Sequence, residues 1–216
     1  MDHSTYIKEL KERYSENGIT ALSECERTDL LLSYAAPKKD MREASRRLSE
    51  SAEGKGTLFR SSRSRIMDEL DLSKSAALFP EILLATVSRA MTEQFQNMQM
   101  SDEDIGRMLV YKYLGHKVET VYLTLLDSNR RLIDTVLINE GSVNDAIVIS
   151  RKLLEQSISR RAKFVALSHN HPSGDPAPSD ADRSATEYIM KTFAYSNLEF
   201  SGHYIVAGKE YVLIKQ

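Results

Sequence analysis

The periodicity of the apolar residues changes near Gly115, and this change limits the folds that the chain can adopt. Before it, apolar residues recur at the spacing of amphipathic helices. After it, residues 118–126 are rich in β-branched and aromatic side chains, and a DSNR turn leads into a second such run at 131–139. Two runs joined in this way predict a β-hairpin. The sequence therefore predicts a helical N-terminal half, a sheet in the C-terminal half, and a boundary within 96–115.

Helix-capping signals recur along the N-terminal half. Ser23 with Glu26 and Ser101 with Asp104 have the spacing of capping boxes, in which each side chain satisfies a backbone N–H of the other residue. Pro80 lies inside a long helical pattern and predicts either a new helix or a kink at that point. The first hundred residues are therefore predicted to form helices.

The C-terminal half continues as strands that alternate with helices. Asn144 is a candidate N-cap for a helix with one apolar stripe, and FVALSHN (164–170) follows as a strand. A further helix is predicted from about Asp180 to Tyr195, and HYIVAG and EYVLI finish the chain as two short strands. We therefore predict an α/β fold, with a C-terminal mixed β-sheet domain and packed helices preceded by a small all-helical domain.

The composition excludes several classes of protein. Among the 216 residues there is one cysteine, Cys25, so an internal disulfide framework and a cysteine-rich zinc site are both excluded. The net charge of -2 gives no global attraction to nucleic acid or to a membrane surface. No apolar stretch approaches the roughly 20 residues of a membrane helix, and the N-terminus lacks the apolar core of a signal peptide. We expect a cytoplasmic protein.

The segment HNHPSGDPAPSDAD combines three candidate metal ligands, two histidines and an aspartate, at the end of a predicted strand. His169 and His171 are two residues apart, so they share a face of an extended chain. Ser179 and Asp182 lie on the first turn of the next helix, where Asp182 could complete a His, His, Asp set around zinc and leave a fourth position for water. Each part also has a simpler interpretation, because Ser179 with Asp182 resembles a capping box and the prolines could form a plain connection.

Other metal hydrolases that use a His-x-His pair fit the sequence less well. Amidohydrolase barrels need several further strands and ligands downstream, but only 45 residues follow His171. Metallo-β-lactamases continue with x-Asp-His, which is absent, and cupins continue as pure β-structure where this chain becomes helical. These comparisons leave few candidate families.

The pattern His-x-His, seven residues, Ser, two residues, Asp resembles the JAMM motif of the MPN+ metalloproteases, and HNHPSGDPAPSDAD resembles the RadC family within that group. The resemblance extends over VETVYLTLLDSNRRLIDTVLINEGSVNDAIVISRKLLEQSI. There the family has a glutamate, a glycine-containing loop and an arginine, which match Glu119, Gly141 and Arg151. His203 matches a histidine near the C-terminal strands of the family, and Gly202 stands where an acidic residue usually precedes it.

The resemblance implies a zinc-dependent hydrolase of peptide or isopeptide bonds, with one zinc ion per chain. It implies that His169, His171 and Asp182 bind the metal, that Glu119 is the general base and that Ser179 contacts the oxyanion. Glu119 would share a strand face with apolar residues, and the resulting partial desolvation favours proton shuttling by a carboxyl group.

The same resemblance implies the domain organisation. A RadC-type MPN+/JAMM domain of the cytidine-deaminase-like fold would occupy 101–216, and a helical domain with a degenerate helix-hairpin-helix would occupy 1–100. The segment IMDELDLSKSAALFPEI lies where the hairpin is expected, but the glycines that let such a hairpin approach a DNA backbone are missing. In their place the chain has Leu70, Asp71 and Leu72.

Two other functions stay open from the sequence. The first is a DNA-processing or repair-associated protein, whose metal site is a nuclease or is not catalytic. The net charge of -2 and the altered hairpin favour weak or no nucleic-acid binding. The protein or peptide substrate is what the resemblance implies. The second is an inactive interaction scaffold, but MPN relatives of that kind characteristically lose metal ligands that this chain retains.

Overall fold

The computed structural model describes residues 1–50, 58–59, 61–141 and 146–215 of the chain. The chain divides into two compact units, Met1–Ala85 and Thr86–Gln216. Asn144, the predicted N-cap of the helix that follows the hairpin, lies outside the described residues.

Helices make up the first unit as far as it is described. Ser23 and Glu26 form the predicted capping box at the start of the second helix. Pro80 is the second residue of the sixth helix, so the proline starts a new helix there rather than kinking an existing one. The helices that begin in this unit are α1 (His3–Asn17), α2 (Glu24–Ala35), α3 (Arg42–Glu50), α4 (Arg63–Leu70), α5 (Lys74–Ala77) and α6 (Phe79–Glu93), and α6 continues past Ala85.

The turn between α4 and α5 contains the residues at which the sequence predicts a degenerate helix-hairpin-helix. Asp71 adopts the left-handed conformation there, with φ of 47°, and its carboxylate forms an ion pair with Lys39. Aspartate tolerates this conformation better than most residues other than glycine. Ser73 then caps α5. The turn therefore forms without glycine, and it exposes a carboxylate at its tip, where the Asp71 side chain is 94% exposed.

A mixed sheet of five strands forms the centre of the second unit, with the order β2-β1-β3-β4-β5. Among the described strands, β3 and β4 pair in parallel and the other neighbouring pairs are antiparallel. The prediction of an α/β fold with a mixed sheet is confirmed. The strands are β1 (Thr120–Leu126), β2 (Leu132–Glu140), β3 (Phe164–Asn170), β4 (Glu199–Ala207) and β5 (Glu210–Ile214).

Helices cover both faces of this sheet. On one face, α7 (Asp102–Lys112) packs in a core that includes Leu126. On the other face, α8 (Ala146–Ser159) and α9 (Asp180–Ala194) pack in a second core that includes Leu123. The alternation of β1 side chains between these two cores is the period of two that the sequence shows. Among the described residues, no helix combines the length and the hydropathy needed to span a membrane.

Candidate metal centre

The two predicted ligand histidines lie where β3 leaves the core. His169 is the penultimate residue of β3, and His171 follows its last residue. Val165 and Leu167, which share the face of His169 by strand alternation, belong to the core under α8 and α9. The strand therefore anchors the histidines with buried apolar side chains and presents them at the end of the sheet.

A turn and the first residues of α9 bring the carboxylate back to the histidines. Gly174 donates its N–H to the His171 carbonyl oxygen at 3.1 Å, with φ of 91°, a conformation that favours glycine. Ser179 is the N-cap of α9, and its Oγ accepts the Asp182 N–H at 3.1 Å. Asp182 returns this contact, since its Oδ2 accepts the Ser179 N–H at 2.8 Å. The capping box thus holds the Asp182 carboxylate in place.

The three candidate ligands converge to the spacing of a tetrahedral metal site. The two histidine Nε2 atoms are 2.9 Å apart. Asp182 Oδ1 lies 3.2 Å from His169 Nε2, and Asp182 Oδ2 lies 3.6 Å from His171 Nε2. Two ligand atoms bound to one tetrahedral zinc ion are about 3.3 Å apart, because each bond is about 2.0–2.1 Å long. The observed distances fall on both sides of that value, and with one ligand atom taken from each residue the three atoms lie within 4.8 Å of one another. These residues therefore fit a single small cation.

The hydrogen bond of His171 fixes which of its ring nitrogens is free. His171 Nδ1 lies 2.8 Å from the carbonyl oxygen of Asp175. A carbonyl oxygen can only accept, so Nδ1 carries the proton and Nε2 presents a lone pair in the neutral ring. The imidazole is 20% exposed, which leaves the His171 side of the cluster open to solvent.

A buried chain of hydrogen bonds fixes His169 in the same way. Thr186 donates its hydroxyl to the Asp182 carbonyl oxygen at 2.6 Å, so at 2.7 Å it must accept from His203 Nδ1. His203 Nε2 is then the acceptor in its 2.8 Å contact with His169 Nδ1. His169 therefore presents an unprotonated Nε2 toward the other two ligands. A second hydrogen bond that sets the tautomer in this way is typical of histidines that bind metal.

Three hydrogen-bond acceptors, two imidazole nitrogens and a carboxylate, thus face one another with no donor between them. Burial lowers the pKa of His169 to about 4 and that of His203 to about 3, so both rings are neutral near pH 7. Burial acts to raise the pKa of Asp182, but hydrogen bonds from Ser179 outweigh it and the pKa lies below its usual value. The cluster combines a negative charge with two lone pairs, which a bound cation satisfies.

Comparison with known proteins identifies the domain that carries this cluster. The family model described as "RadC-like JAB domain" matches residues 99–216, which is more than half of the chain. The chain belongs to the RadC-like JAB domain family. The RadC resemblance and the JAB/MPN-like fold are therefore confirmed, and this fold is that of metal-dependent hydrolases.

Relatives resemble the chain over nearly its whole length. A UPF0758 protein of Fusobacterium nucleatum is 25% identical, covering 97% of this chain and 94% of the relative. A UPF0758 protein of Shewanella halifaxensis is 28% identical, covering 94% of this chain and 91% of the relative. One from Methanosarcina barkeri is 26% identical, covering 95% of this chain and 90% of the relative. The similarity thus includes the helical region before the RadC-like domain.

A bulge in β4 turns His203 of the RadC-like domain toward the metal ligands. The pairing of β3 with β4 shifts by one residue between Val165 and Ala166, so that Leu167 rather than Ser168 lies beside His203. Without the extra residue, His203 would face α7 on the other side of the sheet. Gly202 makes the bulge possible, because its φ is 124° and an added Cβ would lie 2.9 Å from the Ile214 carbonyl oxygen.

Glu119, the predicted general base, immediately precedes β1 and is exposed. Its side chain is exposed, since β1 begins at Thr120 and residue 119 precedes the apolar face of the strand. The predicted partial desolvation is therefore wrong. The β1–β3 ladder ends where Val121 pairs with His169. Glu119 stands two residues before Val121, and His171 stands two residues after His169, so the two residues leave the ladder at the same end of the sheet.

The roles of two residues near the ligands were not predicted from the sequence. Thr186 lies four residues after Asp182, so it shares a face of α9 with that ligand, and this spacing is a usable signal. Asn170 stands between the two histidines in the sequence, but its amide binds the backbone of residues 118 and 120. No local pattern reveals that contact, because the partners are some fifty residues away.

Proposed function

We propose that this chain is a zinc-dependent hydrolase that cleaves peptide or isopeptide bonds. The observation that carries the proposal is the convergence of the two Nε2 atoms of His169 and His171, 2.9 Å apart, on the Asp182 carboxylate. One carboxylate oxygen lies 3.2 Å from His169 Nε2 and the other lies 3.6 Å from His171 Nε2. Imidazole and carboxylate are ligands that zinc prefers, and three protein ligands with an open side are typical of catalytic rather than structural zinc. When bound, zinc supplies a Lewis acid that activates water at neutral pH.

Glu119 is the general base of this proposal. Its carboxylate accepts the proton of the attacking water and later delivers it to the amine that leaves the cleaved amide bond. The ladder pair of Val121 with His169 supports the assignment, because His169 lies two residues from His171 and Val121 lies two residues from Glu119. The exposure of its side chain also leaves it accessible to a substrate that approaches the open side of the cluster.

Ser179 can act both as helix cap and as oxyanion donor. Its hydroxyl accepts the Asp182 N–H and donates to Asp182 Oδ2 at 2.6 Å. A hydroxyl group has one proton and two lone pairs, so the proton can turn to a developing oxyanion while the accepted cap bond persists. The exposure of Ser179 supports this role, since the donor lies at the surface that a substrate reaches.

Metal analysis of the purified protein tests the proposal first. We expect about one zinc per chain, loss of stoichiometric zinc in His171→Ala, and retention in His116→Ala. His116 is the matched control because it is a half-buried histidine of the same unit that contacts Tyr122 and no ligand. Full zinc content in His171→Ala would contradict the ligand assignment.

Activity is then measured on a library of peptide and isopeptide substrates, with single- and double-stranded DNA beside it. Cleavage of an amide bond by the wild type, lost in His171→Ala and kept in His116→Ala, is the expected result. Cleavage of DNA alone with the same dependence would instead favour the nuclease alternative.

A further inference from the structure

Asn170 joins the metal ligands to the segment that carries Glu119. It is the last residue of β3, it is covalently bonded to both His169 and His171, and it is only 5% exposed. A buried amide needs hydrogen-bond partners, because an unsatisfied one costs free energy. The partners of this amide all belong to the chain that leads into β1.

The amide of Asn170 binds a backbone group on each side of Glu119. Its Oδ1 accepts the Thr120 N–H at 2.8 Å, and its Nδ2 donates to the Val118 carbonyl oxygen at 3.1 Å. These two groups belong to the two peptide units that flank residue 119. The carbonyl oxygen of Glu119 itself accepts the Gly141 N–H at 2.7 Å. The backbone of residue 119 is therefore held before and after its Cα.

The contact takes the place of a rung in the β1–β3 ladder. The paired residues end at Val121 with His169, so the next position, Thr120, binds the Asn170 side chain instead. The two strands are thus kept in register up to the metal ligands by an amide side chain. A neutral amide is suited to this position because it offers one donor group and one acceptor, whereas an ionised aspartate of the same shape only accepts.

We propose that Asn170 is a positioning residue that holds Glu119 in place relative to the metal ligands. It connects the backbone of the base to the same short segment that carries both histidines, so displacement of one moves the other. The inference rests on the proposed function, because it takes Glu119 as the base. Misplacement of a catalytic group by about 1 Å can cost about 100-fold in rate.

The first test needs no substrate and measures the clamp, that is, the two hydrogen bonds from the Asn170 amide to the backbone on either side of residue 119. Amide hydrogen exchange followed by NMR should show a protected Thr120 N–H in the wild type and faster exchange in Asn170→Ala. Leu123, in the middle of β1, should keep its protection. Zinc content should stay near that of the wild type. Equal protection of the Thr120 N–H in the wild type and in Asn170→Ala would overturn the proposal that Asn170 holds this segment. Asn170→Leu, which keeps the branched shape and loses both hydrogen bonds, replaces the alanine variant if that variant does not fold.

The second test is a double-mutant cycle on a cleaved substrate. We expect Asn170→Ala to lower kcat about 10- to 100-fold with little change in KM. In a Glu119→Gln background the same substitution should change kcat by less than about twofold, because the residue acts through Glu119. Equal losses in both backgrounds would mean that Asn170 only stabilises the fold, and would overturn the inference.

Ser168→Ala is the matched control for loosening of β3. Ser168 lies in the same strand, and its hydroxyl forms a buried hydrogen bond of 2.9 Å with the Tyr113 hydroxyl on the face of the sheet opposite the metal ligands. The substitution removes this bond and leaves the Asn170 contacts in place. In the Ser168→Ala variant, the hydrogen-exchange rate of the Thr120 N–H and the kcat should match those of the wild type. A wild type that hydrolyses nothing would overturn the proposed function and the catalytic part of this inference, while the exchange result decides the clamp separately.

Discussion

His203 Nε2 lies 2.8 Å from His169 Nδ1, and both rings are buried. The Thr186 hydroxyl donates to the Asp182 carbonyl oxygen, so it accepts a hydrogen bond from His203 Nδ1. His203 Nε2 is therefore unprotonated and accepts from His169 Nδ1, which leaves His169 Nε2 free to bind a metal. His203 is not one of the three converging ligands, but it determines how one of them is presented. The sequence alone had left its role undecided, because Gly202 replaces the acidic residue that usually precedes it.

Replacement of His203 should weaken metal binding without abolishing it. In His203→Ala, the buried His169 Nδ1–H loses its acceptor and the ring is free to take another tautomer or orientation. Loss of such a partner typically lowers metal affinity about 10- to 100-fold. Zinc affinity, measured by competition with a chelating dye, checks the prediction. Thr186→Val, which removes only the hydroxyl, should have a smaller effect, and an unchanged affinity in His203→Ala would contradict the proposed relay.

Glu119→Gln should keep the zinc content and lose hydrolysis. The substitution preserves the shape and removes the proton acceptor, and general acid–base groups supply about 10²–10⁴-fold in rate. Glu140→Gln is the control, because Glu140 is also exposed and pairs with Thr120 in the neighbouring strand. Loss of zinc in Glu119→Gln would make the residue a ligand or a structural element, and a wild-type rate would place the base elsewhere.

Ser179→Ala and Ser101→Ala separate capping from catalysis. Ser101 and Asp104 form a capping box at α7 with the same contacts as Ser179 and Asp182 at α9, including a 2.6 Å bond from hydroxyl to carboxylate in both. Each substitution should lower the free energy of unfolding by about 0.5–2 kcal/mol. Only Ser179→Ala should also lower kcat, by about 10²–10³-fold if the hydroxyl stabilises the oxyanion. Equal activities of the two variants would mean that Ser179 acts only as the N-cap of α9.

Asp71 should oppose DNA binding at the hairpin. We expect the wild type to bind DNA weakly and without sequence preference, with an affinity that falls steeply as salt is raised. Asp71→Asn removes the charge and keeps a residue that tolerates the left-handed conformation, so it should raise the affinity several-fold at low salt. Asp68→Asn makes the same charge change within α4 rather than at the tip of the turn, and should have a smaller effect. Tight, sequence-dependent binding by the wild type at physiological salt would contradict this prediction.

Much of the candidate site could be predicted from the sequence because its geometry is local. Residues two apart on a strand share a face, so His169 and His171 were expected to point together. Residues three apart on the first helical turn are neighbours, so Ser179 and Asp182 were expected to contact each other. The strand at 164–170 and the capping boxes follow from the same short-range rules, since backbone period and side-chain reach depend only on nearby residues.

The tertiary structure alone decided which distant groups meet these ligands. His203 reaches His169 because of a one-residue bulge at Gly202, and a register shift of that kind reverses the face of every residue after it without changing the apolar pattern before it. Asn170 reaches the backbone on both sides of Glu119 only because β1 and β3 pair in one register. The exposure of Glu119 likewise depends on where that pairing stops. Strand pairing is a choice among long-range partners, and local periodicity carries no information about it.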